Sequence, residues 1–210
     1  MIFVWLHDGF TNTNPIADFR LDIFGSAFWW ICGDCLGFRR DIGVSPSTGK
    51  PYSLASALRH ENVIPYENQL EMLCSKGFAI WDVIKSCKRE GSLDSDIHNE
   101  EPNRIREFCQ EHPSIRRIVF SNGGSSCTFF KKHFKGWLDS GQLIPGANEA
   151  SQQAFKKWKP TANTSNGDNI ECISALAVSP AAAKYTYEEK RDFWDKYVYS
   201  PGLVDHERQK

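Results

Sequence analysis

Apolar positions along the chain recur with two periods, and the periods alternate. Phe28, Ile31, Cys32, Cys35 and Leu36 fall at i, i+3, i+4, i+7 and i+8, one face of a helix predicted over residues 27–37. Ser26 stands where an N-cap would sit and Gly37 where the helix should stop. Just before it, residues 21–26 (LDIFGS) predict a short buried strand. Residues 65–77 predict a helix bounded by Pro and Gly. An apolar run over 78–87 reads as strand, 88–97 as loop, 101–112 as helix, and 115–124 as a strand running into Asn-Gly-Gly. Helix follows over 125–134, strand over 170–183 ending in a Ser-Pro turn, and helix over 186–198. Thr186 and Glu189 have the spacing of a capping box. The stretches 39–64 and 139–169 are polar and read as inserted loops, and 199–210 as a polar tail.

Strands alternating with helices predict an α/β fold with a parallel sheet. Such sheets bind ligands beyond the carboxyl ends of their strands. The positions to watch are therefore Gly25-Ser26, Trp81-Asp82, Asn122-Gly123 and Ser179-Pro180.

Composition narrows this little. The chain has 210 residues, 40% hydrophobic and 13% aromatic, enough for one domain with a sizeable core. A net charge of −1 gives no bulk electrostatic footprint for nucleic acid. Local basic clusters occur at Arg39-Arg40, Arg116-Arg117, Lys131-Lys132-His133 with Lys135, and Lys156-Lys157-Trp158-Lys159; each alone reads as a solvated face. No apolar run approaches the ~20 residues that span a bilayer, and no secretory signal is visible. Seven cysteines, an odd number, suit free thiols in an intracellular, reducing compartment, the nucleus among the options.

Cys32 and Cys35 form a C-x-x-C and invite a redox or metal reading. A reactive thiol of that kind sits at a helix N-terminus, whereas Cys32 falls well inside the predicted helix and both cysteines share its apolar face. A zinc site would need a second pair of ligands, and the remaining cysteines are isolated. The pair is expected to be core.

The ordered set NPIADFRLDIFGS, AFWWICGDCLGF, GFAIWDVIKSCKREGSLDSDI, IRRIVFSNGG and AVSPAAA, followed by a helix with EEK and FW, resembles the uracil-DNA glycosylase superfamily. Within it the chain looks like the DNA-deoxyinosine (hypoxanthine-DNA) glycosylases. WDVIKSCKREGSLDS is its most specific block. The resemblance implies a domain over 9–198 built as a three-layer α/β/α sandwich on a central, mainly parallel four-stranded sheet. It implies a monomer that acts on DNA containing deaminated bases, without membrane, metal or organic cofactor. Asp82 and Asn122 would be the catalytic pair. Trp81 and Phe28 would join them around the base. Gly25, Ser26, Gly123, Ser179 and Pro180 would meet the DNA backbone, with Ser92, Asp94 and Ser95 in a loop beside the pocket.

The first motif departs from the family. There a loop with a Pro-Gly turn, tyrosines and a His-Pro-x-Asn run leads into the aromatic pair, and its Asn is implicated in catalysis. Here Ser26 is followed directly by Ala27-Phe28-Trp29. Two alternatives therefore stand beside an active glycosylase: a DNA-binding relative without catalysis, and a thiol oxidoreductase working through Cys32 and Cys35.

Overall fold

The structure, a computed structural model, describes residues 2–5, 27–38, 66–90, 94–121, 124–158, 169–179 and 182–208. Strand β1 (Ile2–Trp5) is followed by α1 (Phe28–Leu36), α2 (Tyr66–Ser75), β2 (Phe78–Trp81) and β3 (Ile84–Arg89). Next come β4 (Ile97–Pro102), α3 (Ile105–Glu111), β5 (Arg117–Phe120), α4 (Ser125–His133) and α5 (Lys135–Asp139). Strand β6 (Leu143–Pro145), α6 (Glu149–Ala154), β7 (Ile170–Ser174) and α7 (Tyr187–Trp194) lead into a π-helical turn (Asp195–Tyr199) and α8 (Ser200–Arg208).

The main sheet has the order β2-β1-β5-β7-β6. Strand β1 is antiparallel to both β2 and β5, while β5, β7 and β6 are mutually parallel. Two reversals cancel, so β2 points the same way as β5. Four strands share one direction and β1 opposes them. The protein is thus mixed α/β as expected, but the sheet has five strands rather than four. The expected first strand, 21–26, lies outside the described residues.

Side chains on successive strand residues go to opposite faces, and each face has its own core. Ala79, Ile118, Phe120 and Cys172 enter one cluster with Ile105 and Phe108 of α3, Phe130 of α4, Trp137 of α5 and Phe155. Phe78, Ile80, Val119 and Ile173 enter the other with Phe28 and Ile31 of α1, Leu73 of α2, Trp194 of α7 and Tyr199. Helices therefore cover both faces.

Several local expectations hold for their stated reasons. Gly37 ends α1 in the left-handed region at φ 80°, its N–H on the Gly33 carbonyl. The Thr186–Glu189 capping box is present in both directions. Others fail. Ala27, not Ser26, holds the N-cap position of α1, and no side chain caps it. The run 78–87 is two strands, not one, because the chain turns at Asp82-Val83 and β3 leaves to pair with β4. The stretch 139–169 is not simply a loop, since it contains β6 and α6. The tail after residue 198 is helical, and its Asp205 accepts from Arg117 Nη1 at 2.6 Å while Arg117 Nε donates to Glu171 at 2.8 Å. The folded unit thus takes in residues on either side of 9–198.

Phe130 is fully buried, ringed by Phe120, Phe134 and Trp137 at centroid distances of 5.0, 4.8 and 6.0 Å. Phe130→Ala should lower stability by about 3–5 kcal/mol, and Thr186→Ala by about 1 kcal/mol. Urea melts should show both as a shifted midpoint with unchanged slope.

Candidate active site

The four co-directional strands bring their carboxyl ends to one edge of the sheet. Ile2 pairs with both Trp81 and Phe120, and Phe120 pairs with Ser174, so these residues are level across the sheet. Asp82 and Ser121 follow at once. Strand β1 separates β2 from β5, which puts the two strand ends roughly 10 Å apart.

At β2, Trp81 is half-buried with its ring edge-on to Phe108 at 4.4 Å. Asp82 is half-buried, and its carbonyl accepts from Asn103 Nδ2 at 2.9 Å. The Asn103 N–H donates to the Val83 carbonyl at 2.9 Å. One side chain, not singled out from sequence, therefore closes the foot of the β3–β4 hairpin and fixes the backbone at Asp82. Asn103 was hidden because residues 101–112 read as one helix, whereas 101–102 end β4 and the helix begins at Ile105.

Phe28 is 0% exposed, edge-on to Trp29 at 5.1 Å and to Trp194 at 5.9 Å. A ring that stacks on a base needs an open face, and Phe28 has none; its place is the core beneath α1. Asp94 opens a single 3-10 turn, Asp94–Asp96, in which exposed Ser95 donates to the Asp96 carboxylate at 3.2 Å. Arg89 pairs with Ile97 and Ile84 with Pro102. The hairpin thus carries this turn a strand's length, roughly 16 Å, away from Ile84, rather than leaving it beside Asp82. Gly25, Ser26, Ser92, Asn122, Gly123 and Pro180 lie outside the described residues.

The loop after β7 is held through three of its carbonyls and one of its N–H groups. Ala175 N–H donates to Phe120 O at 3.1 Å, keeping the loop on the sheet edge. Leu176 O accepts from Trp194 Nε1 at 2.9 Å. Val178 O accepts from the Ala27 N–H at 3.0 Å, which ties the start of α1 to this loop. Ser179 O accepts from the Ala182 N–H at 3.1 Å and from Lys190 Nζ at 3.4 Å.

A second buried network joins β7 to the turn after β6. Asn148 Nδ2 donates to Ser174 O at 3.0 Å, Ser151 Oγ donates to Asn148 Oδ1, and the Ser174 N–H donates to Ser151 Oγ at 2.8 Å. All three residues are buried. A Cβ on Gly146 would meet Ile173 Cγ1 at 2.9 Å, so only glycine lets this turn lie against β7. None of this was foreseen, because the segment reads as polar loop.

The β3–β4 hairpin is anchored through Glu100, whose side chain is 5% exposed and contacts Lys132 and, at 3.3 Å, His133 Nε2. The Lys132 ammonium and a backbone N–H hold its carboxyl down at about 2. Lys135 pairs with Asp139, Arg116 donates to the Pro113 carbonyl, and Arg117 lies between two carboxylates. Arg116, Arg117, Lys131, Lys132 and Lys135 thus each meet a protein partner rather than standing only in solvent.

The C-x-x-C helix is structural. Cys32 is fully buried and burial pushes its thiol well up; Cys35 is pushed up to about 12, first by burial and then by Asp195 and Asp34. Redox chemistry needs an accessible thiol with the opposite shift, so the buried Cys32 gives the thiol oxidoreductase reading no support. The residue between them that matters is Asp34, which accepts from Tyr187 Oη at 2.6 Å and locks α1 to α7. No group of three His, Cys, Asp or Glu side chains among the described residues is placed to hold a metal, and no described helix is long and apolar enough to cross a membrane.

The architecture is that of an α/β protein whose loops gather at the carboxyl edge of its sheet. In sequence the chain is similar to hypoxanthine DNA glycosylases of two Methanosarcina species. It is 38% identical to that of Methanosarcina barkeri over 63 residues, 30% of this chain and 39% of the relative. It is 30% identical to that of Methanosarcina acetivorans over 91 residues, 43% of this chain and 56% of the relative. The chain thus spans about two fifths to just over half the length of these curated relatives. No family model and no solved structure matches it. These similarities support the resemblance read from the ordered segments.

Two outcomes follow from the electrostatics. Glu100 has a lowered pKa, so its contribution is complete above the ordinary glutamate value near 4.3 and is lost as pH falls toward about 2. Amide exchange in β4 should rise selectively over that window, and Glu100→Gln should remove the pH dependence. Under native conditions iodoacetamide should modify exposed Cys87 first, half-buried Cys35 more slowly, and buried Cys32 only on unfolding; peptide mass mapping reads the order.

Proposed function

We propose that the protein is a DNA glycosylase that removes a deaminated base, hypoxanthine or uracil, by hydrolysis of the N-glycosidic bond. The observation that carries this is the similarity to hypoxanthine DNA glycosylases. The gathering of Asp82, the β5 end and the Ser179 loop on one sheet edge agrees with it. The fold that goes with this reading is the three-layer sandwich, with the pocket at the carboxyl edge.

A base inside a duplex is out of reach, so it is flipped into the protein and read on its edge. Hypoxanthine and uracil each present a ring N–H beside a carbonyl. A carboxamide held in one orientation accepts from that N–H and donates to that carbonyl, and we assign this role to Asn122. As the glycosidic bond breaks, the sugar gains oxocarbenium character and the base takes negative charge, which a fixed donor stabilises. Asp82 is assigned to the sugar side, where a carboxylate favours positive charge and holds the attacking water. Trp81 supplies an aromatic wall; Phe28, lacking an open face, does not. Gly25, Ser26, Gly123, Ser179 and Pro180 are assigned to the DNA backbone.

A second reading is favoured by one specific observation, the direct junction of Ser26 to Ala27 where the resemblance expects a loop. On it the protein binds DNA without cutting the glycosidic bond.

Labelled oligonucleotides carrying deoxyinosine or deoxyuridine, followed by alkaline strand cleavage, separate the two. Base release is expected, with a loss of more than about tenfold in Asn122→Ala and in Asp82→Ala. Salt-sensitive binding without release by the folded protein would establish the second reading instead.

A further inference from the structure

One face of α7 holds the loop after β7. Lys190 and Trp194 are one turn apart and share that face, and each donates to a loop carbonyl: Trp194 to Leu176 at 2.9 Å, Lys190 to Ser179 at 3.4 Å. Lys190 is 6% exposed, and among the described residues no carboxylate lies within ion-pair distance of it. An ammonium is a costly way to fill an apolar space, and a hydrocarbon side chain would fill it without that cost. What the lysine adds is a donor at the Ser179 carbonyl. Burial pushes its pKa down, in keeping with a desolvated site. The helix that carries it is itself pinned, by its capping box at one end and by the Tyr187–Asp34 bond to α1.

We propose that Lys190 is a positioning residue, whose ammonium holds the Ser179 carbonyl and so sets the conformation of the loop that meets DNA beside the flipped nucleotide. The DNA-side consequence rests on the glycosylase reading; the clamp itself does not. Lys190 acts through Ser179 and touches neither base nor phosphate.

The test compares the full chain with Lys190→Met and Lys190→Arg. Amide exchange by mass spectrometry, without DNA, is read over 175–182 and, as a control, over β5. Lys190→Met should exchange roughly tenfold faster in the loop with β5 unchanged, and Lys190→Arg, which keeps a cationic donor, should recover most of the protection. With a deoxyuridine or deoxyinosine duplex, Lys190→Met should slow single-turnover release while the salt dependence of binding keeps its slope. Unchanged loop exchange in Lys190→Met overturns the proposal. Faster exchange spread evenly over β5 also overturns it, making Lys190 a packing residue. A salt slope lower by about one overturns it too, because Lys190 would then meet a phosphate itself. Should Lys190→Met not fold, Lys190→Gln is read by the same criteria. If no protein releases a base, the glycosylase reading falls while the exchange result still decides the clamp.

Discussion

A loop that crosses the end of a sheet beneath two helices carries backbone carbonyls that water reaches poorly, and each needs a donor. The loop after β7 is in that position, and the arrangement of the carboxyl edge follows from how its carbonyls are met. Leu176 and Ser179 draw side-chain donors from α7, and Val178 draws the first backbone N–H of α1. These bonds tie the start of α1 and one face of α7 to the loop. The Tyr187–Asp34 bond then makes α1 and α7 one unit, and the aromatic core of Phe28, Trp194 and Tyr199 fills the space beneath. On the other side of β7 the Asn148–Ser151–Ser174 network does the same with buried side chains. The edge is shaped by backbone satisfaction before any question of chemistry arises.

This is why Cys32-Gly33-Asp34-Cys35 misleads when read as a motif. Its cysteines are two of the small apolar residues that let α1 lie on the sheet, and its aspartate is the joint to α7. The helical period already contained the first half of that answer, since both thiols fell on the buried face. The second half needed Tyr187, 153 residues away in sequence, which no local pattern reports.

What was legible from sequence was what repeats over at least two turns or strand residues. Helices α1, α2, α4 and α7, the strands at 78–81, 117–120 and 170–174, and the cap at Thr186 all emerged from periodicity and capping chemistry. Short elements did not. Strand β6 has three residues and α6 carries mainly polar ones, so neither completes an apolar period. Helix α8 opens with Ser200-Pro201-Gly202, which reads as a breaker, yet it follows the π-helical turn without interruption, the Ser200 N–H donating back to the Asp195 carbonyl. Strand direction is not a local property at all, so nothing in the residues announced that Ile2–Trp5 would run against its neighbours. Around the candidate site, the strand that carries Trp81 was legible as part of an apolar run, though its end at Asp82 was not, since the run was read on to residue 87. Asn103, Asn148, Ser151 and Lys190 were not, because each acts by reaching a backbone group far off in sequence.

On the glycosylase reading, the departure at the first motif weighs unequally on the two halves of the reaction. Bond breaking runs ahead of water attack when the transition state has oxocarbenium character, so the larger demand is on groups that meet charge as it develops. On that reading Asn122 would serve the leaving base and Asp82 the sugar, and both residues are present in the sequence. What the missing loop would have supplied is a side chain to orient water, a task with a smaller energetic share and with substitutes in a carboxylate such as Asp82. Binding is affected differently. The loop would also have contributed backbone N–H groups to the DNA strand, and in its absence the first N–H of α1 is spent on Val178. On the glycosylase reading the junction therefore bears on the grip on DNA as well as on the orientation of water.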